Sequence, residues 1–208
     1  MTPVDLFGWL GALTATILGI PQAVRLVRTR DTSGVSLLAW QAILAINIAW
    51  TSHGIVLQQP AMIVPNALAL AATVPVLVVL ARSHGLDLLR VFLPGLLGAA
   101  AMIGVDLLVG SAAYGVVALV PALIANAGQG VALVRSPVVV GVAPGFLAIQ
   151  VANQALWLAW AVLMPDQGTQ ITAVVTGLVA VFNLSWWLLR RAGLPAFFVV
   201  GQAEGSGA

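Results

Sequence analysis

The chain divides into seven runs of about 20 predominantly apolar residues, the length a helix needs to cross the roughly 30 Å hydrocarbon core of a bilayer. The runs lie at roughly 6–28, 36–57, 61–81, 88–109, 113–134, 140–163 and 170–189. Their joints are short and carry turn formers: Asp31-Thr32-Ser33-Gly34, Gln58-Gln59-Pro60, Ser83-His84-Gly85, Gly110-Ser111 and Asp166-Gln167-Gly168. No joint has room for a soluble domain. With 61% hydrophobic and 7% charged residues, the chain is far from a soluble domain, which carries roughly a quarter charged residues. The expected class is an all-α integral membrane protein with seven transmembrane helices.

The arginines orient these spans. Arg25, Arg28 and Arg30 lie at the first joint, Arg82 and Arg90 at the third, Arg135 at the fifth, and Arg190 with Arg191 after the last run. The second, fourth and sixth joints have none. Positive residues accumulate on the cytoplasmic side, so the N-terminus is expected outside and the C-terminus in the cytosol. No signal-peptide start precedes the first run. The pI of about 10.5 does not mark a nucleic-acid binder, because the net charge is only +2 and no basic face gathers it. There is no cysteine for disulfides or thiolate metal sites, and no lysine for a retinal Schiff base. No metal or cofactor is expected. Abundant Ala, Gly and Val, with Arg in place of Lys, fit a GC-rich bacterial genome. The expected location is the plasma (inner) membrane.

The chain also repeats itself. With Gln22 laid over Gln129, Leu26-Val27-Arg28 meets Leu133-Val134-Arg135, Gly34-Val35 meets Gly141-Val142, and Trp50 meets Trp157. The run between Arg82 and Gly110 has no counterpart. The expected architecture is three helices, a linker helix and three helices (3-1-3), divided at 1–84, 85–112, 113–193 and a cytosolic tail at 194–208. An odd linker gives the triplets one orientation, so they form a parallel repeat, an arrangement used by transporters with a mid-membrane site.

The stretches "GIPQAVRLVRTRDTSGVSLLAW", "IAWTSHG" and "VPNALAL" resemble the SWEET, semiSWEET and PQ-loop (MtN3-like) superfamily, sharply over about residues 8–82 and more weakly over 113–190. The resemblance implies the 3-1-3 fold and, for the SWEET branch, facilitated transport of small sugars. It also implies that Trp50 and Asn66 line the sugar site and that Pro21 acts as a hinge.

Reading the residues themselves leads the same way. Trp50 lies eight residues before Gln58 and Asn66 eight after it, so on antiparallel helices both sit about 12 Å below that turn, near the midplane. An indole offers an apolar face to sugar C–H groups, and an amide offers a donor and an acceptor to hydroxyls. Asn47, three residues before Trp50, shares its helical face. The second half supplies Trp157, Gln154 and, for want of a Pro-Asn pair, Thr176. Each has a plainer reading: the tryptophans as packing residues, and the amides as bonds between helices. Pro21 leaves the Ile17 carbonyl without its helical partner, and Gln22 must face other helices or water. Gly128 and Gln129 hold the matching hinge position. His53 stands where the family usually has tyrosine, either as an outer-gate residue or as an interfacial histidine.

The expected function is uniport of a mono- or disaccharide by alternating access, with the lipid bilayer as the other partner, no nucleic acid and a possible homo-oligomer. A proton-coupled PQ-loop amino-acid transporter and a membrane receptor or assembly factor stand as alternatives. Asp106 or His53 would serve proton coupling. An enzyme is not expected: there is no H-E-x-x-H, and Ser52 beside His53 is not a helical-face pair.

Overall fold

The computed structural model describes residues 1–33, 35–135 and 144–195, apart from the side chains of 127–129, 132 and 135. These residues form seven α-helices and no strand: α1 (Pro3–Thr29), α2 (Leu37–Val56), α3 (Pro60–His84), α4 (Leu88–Leu108), α5 (Ser111–Arg135), α6 (Pro144–Leu163) and α7 (Gln167–Arg191). The ends fall within a few residues of the apolar runs because side chains mark them. Thr2 and Asp5 form a reciprocal capping box around Pro3. Ser36, Asp87 and Asp166 cap α2, α4 and α7 by accepting the backbone N–H of Ala39, Arg90 and Thr169. Helices α3 and α6 begin at Pro60 and Pro144, where a missing N–H costs nothing. Helix α3 stops at Gly85, whose φ of 64° returns its N–H to the Ala81 and Arg82 carbonyls.

Five helices, α1, α3, α4, α6 and α7, are long and apolar enough to cross a membrane. The expectation of seven equivalent spans is thus met only in part. Helix α2 carries Gln41, Asn47 and His53, all buried, and is enclosed by α3, α4 and α5. A helix shielded in this way need not be apolar all round. In α5 the described apolar stretch, Ser111–Asn126, is shorter than the five spans. The molecule's exterior is apolar: Leu13, Ile17, Leu97, Leu178 and Phe182 are among its exposed residues. Water would disfavour such a surface and lipid accommodates it. This is a multi-pass membrane protein.

Helix α1 packs on α3 and α6, α2 on α3 and α5, and α7 on α5 and α6. Followed round, α1, α3, α2, α5, α7 and α6 close into a ring of six. Helix α4 lies outside that ring, against α2 and α5 and lightly against α3. Its buried residues Val91, Gly95, Ala99 and Met102 fall four, four and three positions apart on one stripe, and its leucines are all exposed.

Backbones approach closely where side chains vanish. A Cβ at Gly115 would stand 2.6 Å from the Gly168 carbonyl oxygen, and one at Gly168 would stand 2.6 Å from that of Ser111, so α5 meets the start of α7 backbone to backbone. Polar bonds add specific ties. Gln41 Nε2 donates to the Val91 carbonyl at 2.9 Å, joining α2 to α4. Asn153 Nδ2 donates to the Gly11 carbonyl at 2.9 Å and to Thr14 Oγ1 at 2.7 Å, joining α6 to α1. Asn153→Leu is expected to destabilise the protein by about 0.6–2 kcal/mol, the range for polar bonds between membrane helices. Thermal unfolding in detergent checks this, and an unchanged midpoint would show that the bond contributes nothing.

Candidate functional site

The ring encloses a cavity of about 760 Å³ lined by all six of its helices and by no residue of α4. It is open space because the inward positions are often small, among them Ala15, Ala69, Ala122 and Ala173. At the end where α1 meets α2, the exposed Gln22, Arg25, Ser33 and Ser36 rim it. Toward the opposite, arginine-free end the lining finishes on the buried Met62 and Thr169.

Six residues singled out from the sequence stand on this wall: Asn47, Trp50, Asn66, Gln154, Trp157 and Thr176. Trp50 comes from α2 and Trp157 from α6, in different halves of the ring. Trp50 meets Tyr114 edge-on, with centroids 4.9 Å apart. Trp157 lies over Gly11, where a Cβ would come within 3.0 Å of its Cε2, so the glycine lets the indole sit flat on α1. Asn47 Nδ2 donates to Thr73 Oγ1 at 3.1 Å, and Thr176 Oγ1 donates to Gln154 Oε1 at 2.8 Å. An amide on α2 is thus paired with a threonine on α3, and an amide on α6 with a threonine on α7. Asn66 Nδ2 donates to the Met62 carbonyl of its own helix at 2.8 Å, and its amide oxygen has no partner among the described residues.

The hinge candidates divide. Pro21 is exposed and off the wall, with α1 continuing through it, while Gln22 sits on the rim. Gly128 and Gln129 lie outside the described side chains. Polar wall residues that sequence reasoning passed over include Asn126, Gln150, Asn153 and Thr73. Their signal was available, since each is a polar residue inside an apolar run. Asn183 of α7 is also on the wall, with a buried amide oxygen that has no partner among the described residues.

His53 is not on the wall. It lies beyond the closed end, with a side chain 1% exposed. Its Nδ1 is 2.8 Å from Asp106 Oδ2 of α4, and its Nε2 is 3.2 Å from Asp166 Oδ2 in the joint between α6 and α7. Asp166 also accepts from the Ser111 hydroxyl and from the Thr169 N–H, while Ser111 Oγ accepts from the Gly168 N–H at 2.8 Å. The imidazole stacks on Tyr114, with centroids 4.5 Å apart, and meets Trp50 edge-on. Sequence position alone places Asp166 in a solvent-facing joint. Its side chain is in fact 1% exposed, because His53 of α2 and Ser111 of α5 pack against it. Burial pushes the Asp166 carboxyl up, but hydrogen bonds from His53, Ser111 and Thr169 outweigh it and hold the group well below the usual carboxylate range. A depressed carboxyl contributes stability above its unfolded pKa and loses it only as pH falls through the folded value. These bonds therefore persist from neutral pH down through the ordinary carboxylate range. One signal for the cluster was present in the sequence: each arginine-free joint has one ionisable group in it or nearby, His53, Asp106 or Asp166.

A scan against protein-family models finds no match. Among curated proteins, the sugar transporter SemiSWEET of Escherichia coli (strain UMEA 3162-1) is 32% identical over 79 residues, which is 38% of this chain and 89% of that relative.

Proposed function

Because the chain belongs to the SWEET family, we propose that it carries small sugars across the membrane by facilitated diffusion through the cavity inside its ring. The observation that carries this reading is the composition of the wall. Two indoles and the amides of Asn47, Asn66 and Gln154 surround one space, with no carboxylate among the described lining residues. Such a wall suits a neutral polyol, whose C–H faces rest on aromatic rings and whose hydroxyls exchange hydrogen bonds with amides. A cationic amino acid would need an anionic partner there.

The reading takes α1–α3 as one repeat, α4 as the linker and α5–α7 as the second repeat, at the boundaries expected from the sequence. Helix α3 lies between α1 and α2 just as α7 lies between α5 and α6, which supports it. The SemiSWEET relative is matched over 79 residues, about the length of α1–α3, so one chain of this protein would supply both halves of a pathway. With the N-terminus outside, the rim of Gln22, Arg25, Ser33 and Ser36 faces the cytosol of a bacterial inner membrane. The His53 cluster then closes the outer end. Alternating access would bend α1 at Pro21, where a helical hydrogen bond is missing, and the second half near Gly128 and Gln129.

The test is uptake of labelled glucose, sucrose and arginine into proteoliposomes, with and without a pH gradient. Glucose or sucrose should equilibrate without accumulating against its gradient. Arginine that accumulates with the proton gradient would replace the sugar reading with the amino-acid carrier, and binding without flux would favour a receptor. Asn66→Ala should weaken half-saturation about tenfold, since one or two hydrogen bonds contribute about 1 kcal/mol each. An unchanged value would remove Asn66 from the site.

A further inference from the structure

The His53 cluster has a proton requirement set by its geometry. Both ring nitrogens face carboxylate oxygens, at 2.8 and 3.2 Å. A neutral imidazole has one N–H and one lone pair. If both carboxyls are ionised, that lone pair must point at a carboxylate oxygen across one of these distances, in a site closed to water. One further proton, on the ring or on the facing carboxyl, lets both contacts become hydrogen bonds. The titratable groups facing the ring are Asp106 of α4, Tyr114 of α5 and Asp166 of the α6–α7 joint. Helix α3, packed on α2, has no titratable residue near this end.

We infer that His53, Asp106 and Asp166 form a proton-binding latch, which closes the outer end of the cavity with a proton bound and releases it when the proton leaves. The inference rests on the alternating-access reading above. Opening separates α2 from α4 and from the α6–α7 joint and admits water. In water near neutral pH an imidazole is mostly neutral and carboxyls are ionised. Closing therefore takes up one proton and opening gives it back, on the same side of the membrane. Acid holds the latch shut, and alkali frees it. The proton does not cross with the sugar, so pH sets the rate of turnover and leaves the direction of net flux to the sugar gradient. Asp106 makes the linker helix, which contributes nothing to the cavity wall, part of the gate.

The chain contains no cysteine, so Thr172→Cys places a single thiol on the cavity wall on the closed side. Intact cells are treated from outside with a membrane-impermeant, charged thiol reagent between about pH 5.5 and about pH 8, the interval in which an imidazole titrates. The same thiol in a His53→Gln background reports the reagent's own pH dependence. The ratio of the labelling rate with His53 present to that in this background should rise about tenfold across the interval, as expected for one proton. A flat ratio, or one that falls with pH, overturns the latch. Asp106→Asn is the second comparator, because an amide there can donate to the Nδ1 lone pair and remove the need for the extra proton. It should label with the reagent's own pH profile, and if it retains the parent's ratio the inference also fails. The readout needs no substrate. A pH-dependent ratio in a protein that moves no sugar would leave the latch standing and refute the sugar reading.

Discussion

Trp50→Ala should lower glucose uptake, at concentrations below half-saturation, by about 10- to 100-fold. Losing an apolar contact surface in a binding pocket weakens recognition by about 1–3 kcal/mol, and an indole is among the largest such surfaces a side chain can offer. Trp50 is half-buried, so the truncated face is largely the one on the cavity. It also braces the latch, meeting His53 at 5.5 Å and Tyr114 at 4.9 Å between centroids. Trp50→Phe separates these roles, because it restores a flat apolar face and should recover most of the uptake. Trp157→Ala, on the opposite wall, should act in the same direction. Uptake by Trp50→Ala within twofold of the parent would show that the indole packs helices and does not meet the sugar.

The largest loss of stability is expected at a residue with no side chain. Gly115→Ala would place a methyl 2.6 Å from the Gly168 carbonyl oxygen and 2.7 Å from its Cα. A flexible side chain could move aside, but backbone cannot, so α5 and α7 must separate. Overpacking of this kind costs about 1–3 kcal/mol and more when nothing can relax. Separation would also pull on Ser111, whose hydroxyl holds Asp166 and the Gly168 N–H. Gly104→Ala is the control, since nothing lies within 4 Å of a Cβ there and the helix gains a better former. Thermal unfolding in detergent should rank Gly115→Ala well below the parent and Gly104→Ala at or above it. Equal midpoints would mean that the α5–α7 contact is looser than its backbone distances imply.

Much of this site was legible in the sequence. Asn47, Trp50 and Asn66 fall on one wall because helical rise and the position of the Gln58 turn fix their depth, and a three-residue spacing fixes their face. Trp157 and Gln154 follow from laying the second half over the first. Thr176 follows only by proximity, and it reaches the wall through its bond to Gln154. What stayed hidden was whatever depended on distant partners. The contacts His53 makes lie 53 and 113 residues along the chain, and no local pattern joins them. Asp166 reads as a loop acid because a joint is normally wet; it is dry because His53 of α2 and Ser111 of α5 lie against it.

The sequence by itself determined seven helices and, to within a few residues, their ends. Desolvation of the backbone, capping and charge placement act within a helix or at its ends, where residue identity suffices. Only the tertiary structure decided that six helices close into a ring with α4 outside it. It alone brought His53, Asp106 and Asp166 together. Lipid is as apolar as the helix surfaces it covers, so hydrophobicity cannot choose neighbours in a membrane. Shape does, through glycine contacts such as Gly115 with Gly168 and polar bonds such as Asn153 with Gly11. That fit exists only once all the helices are in place.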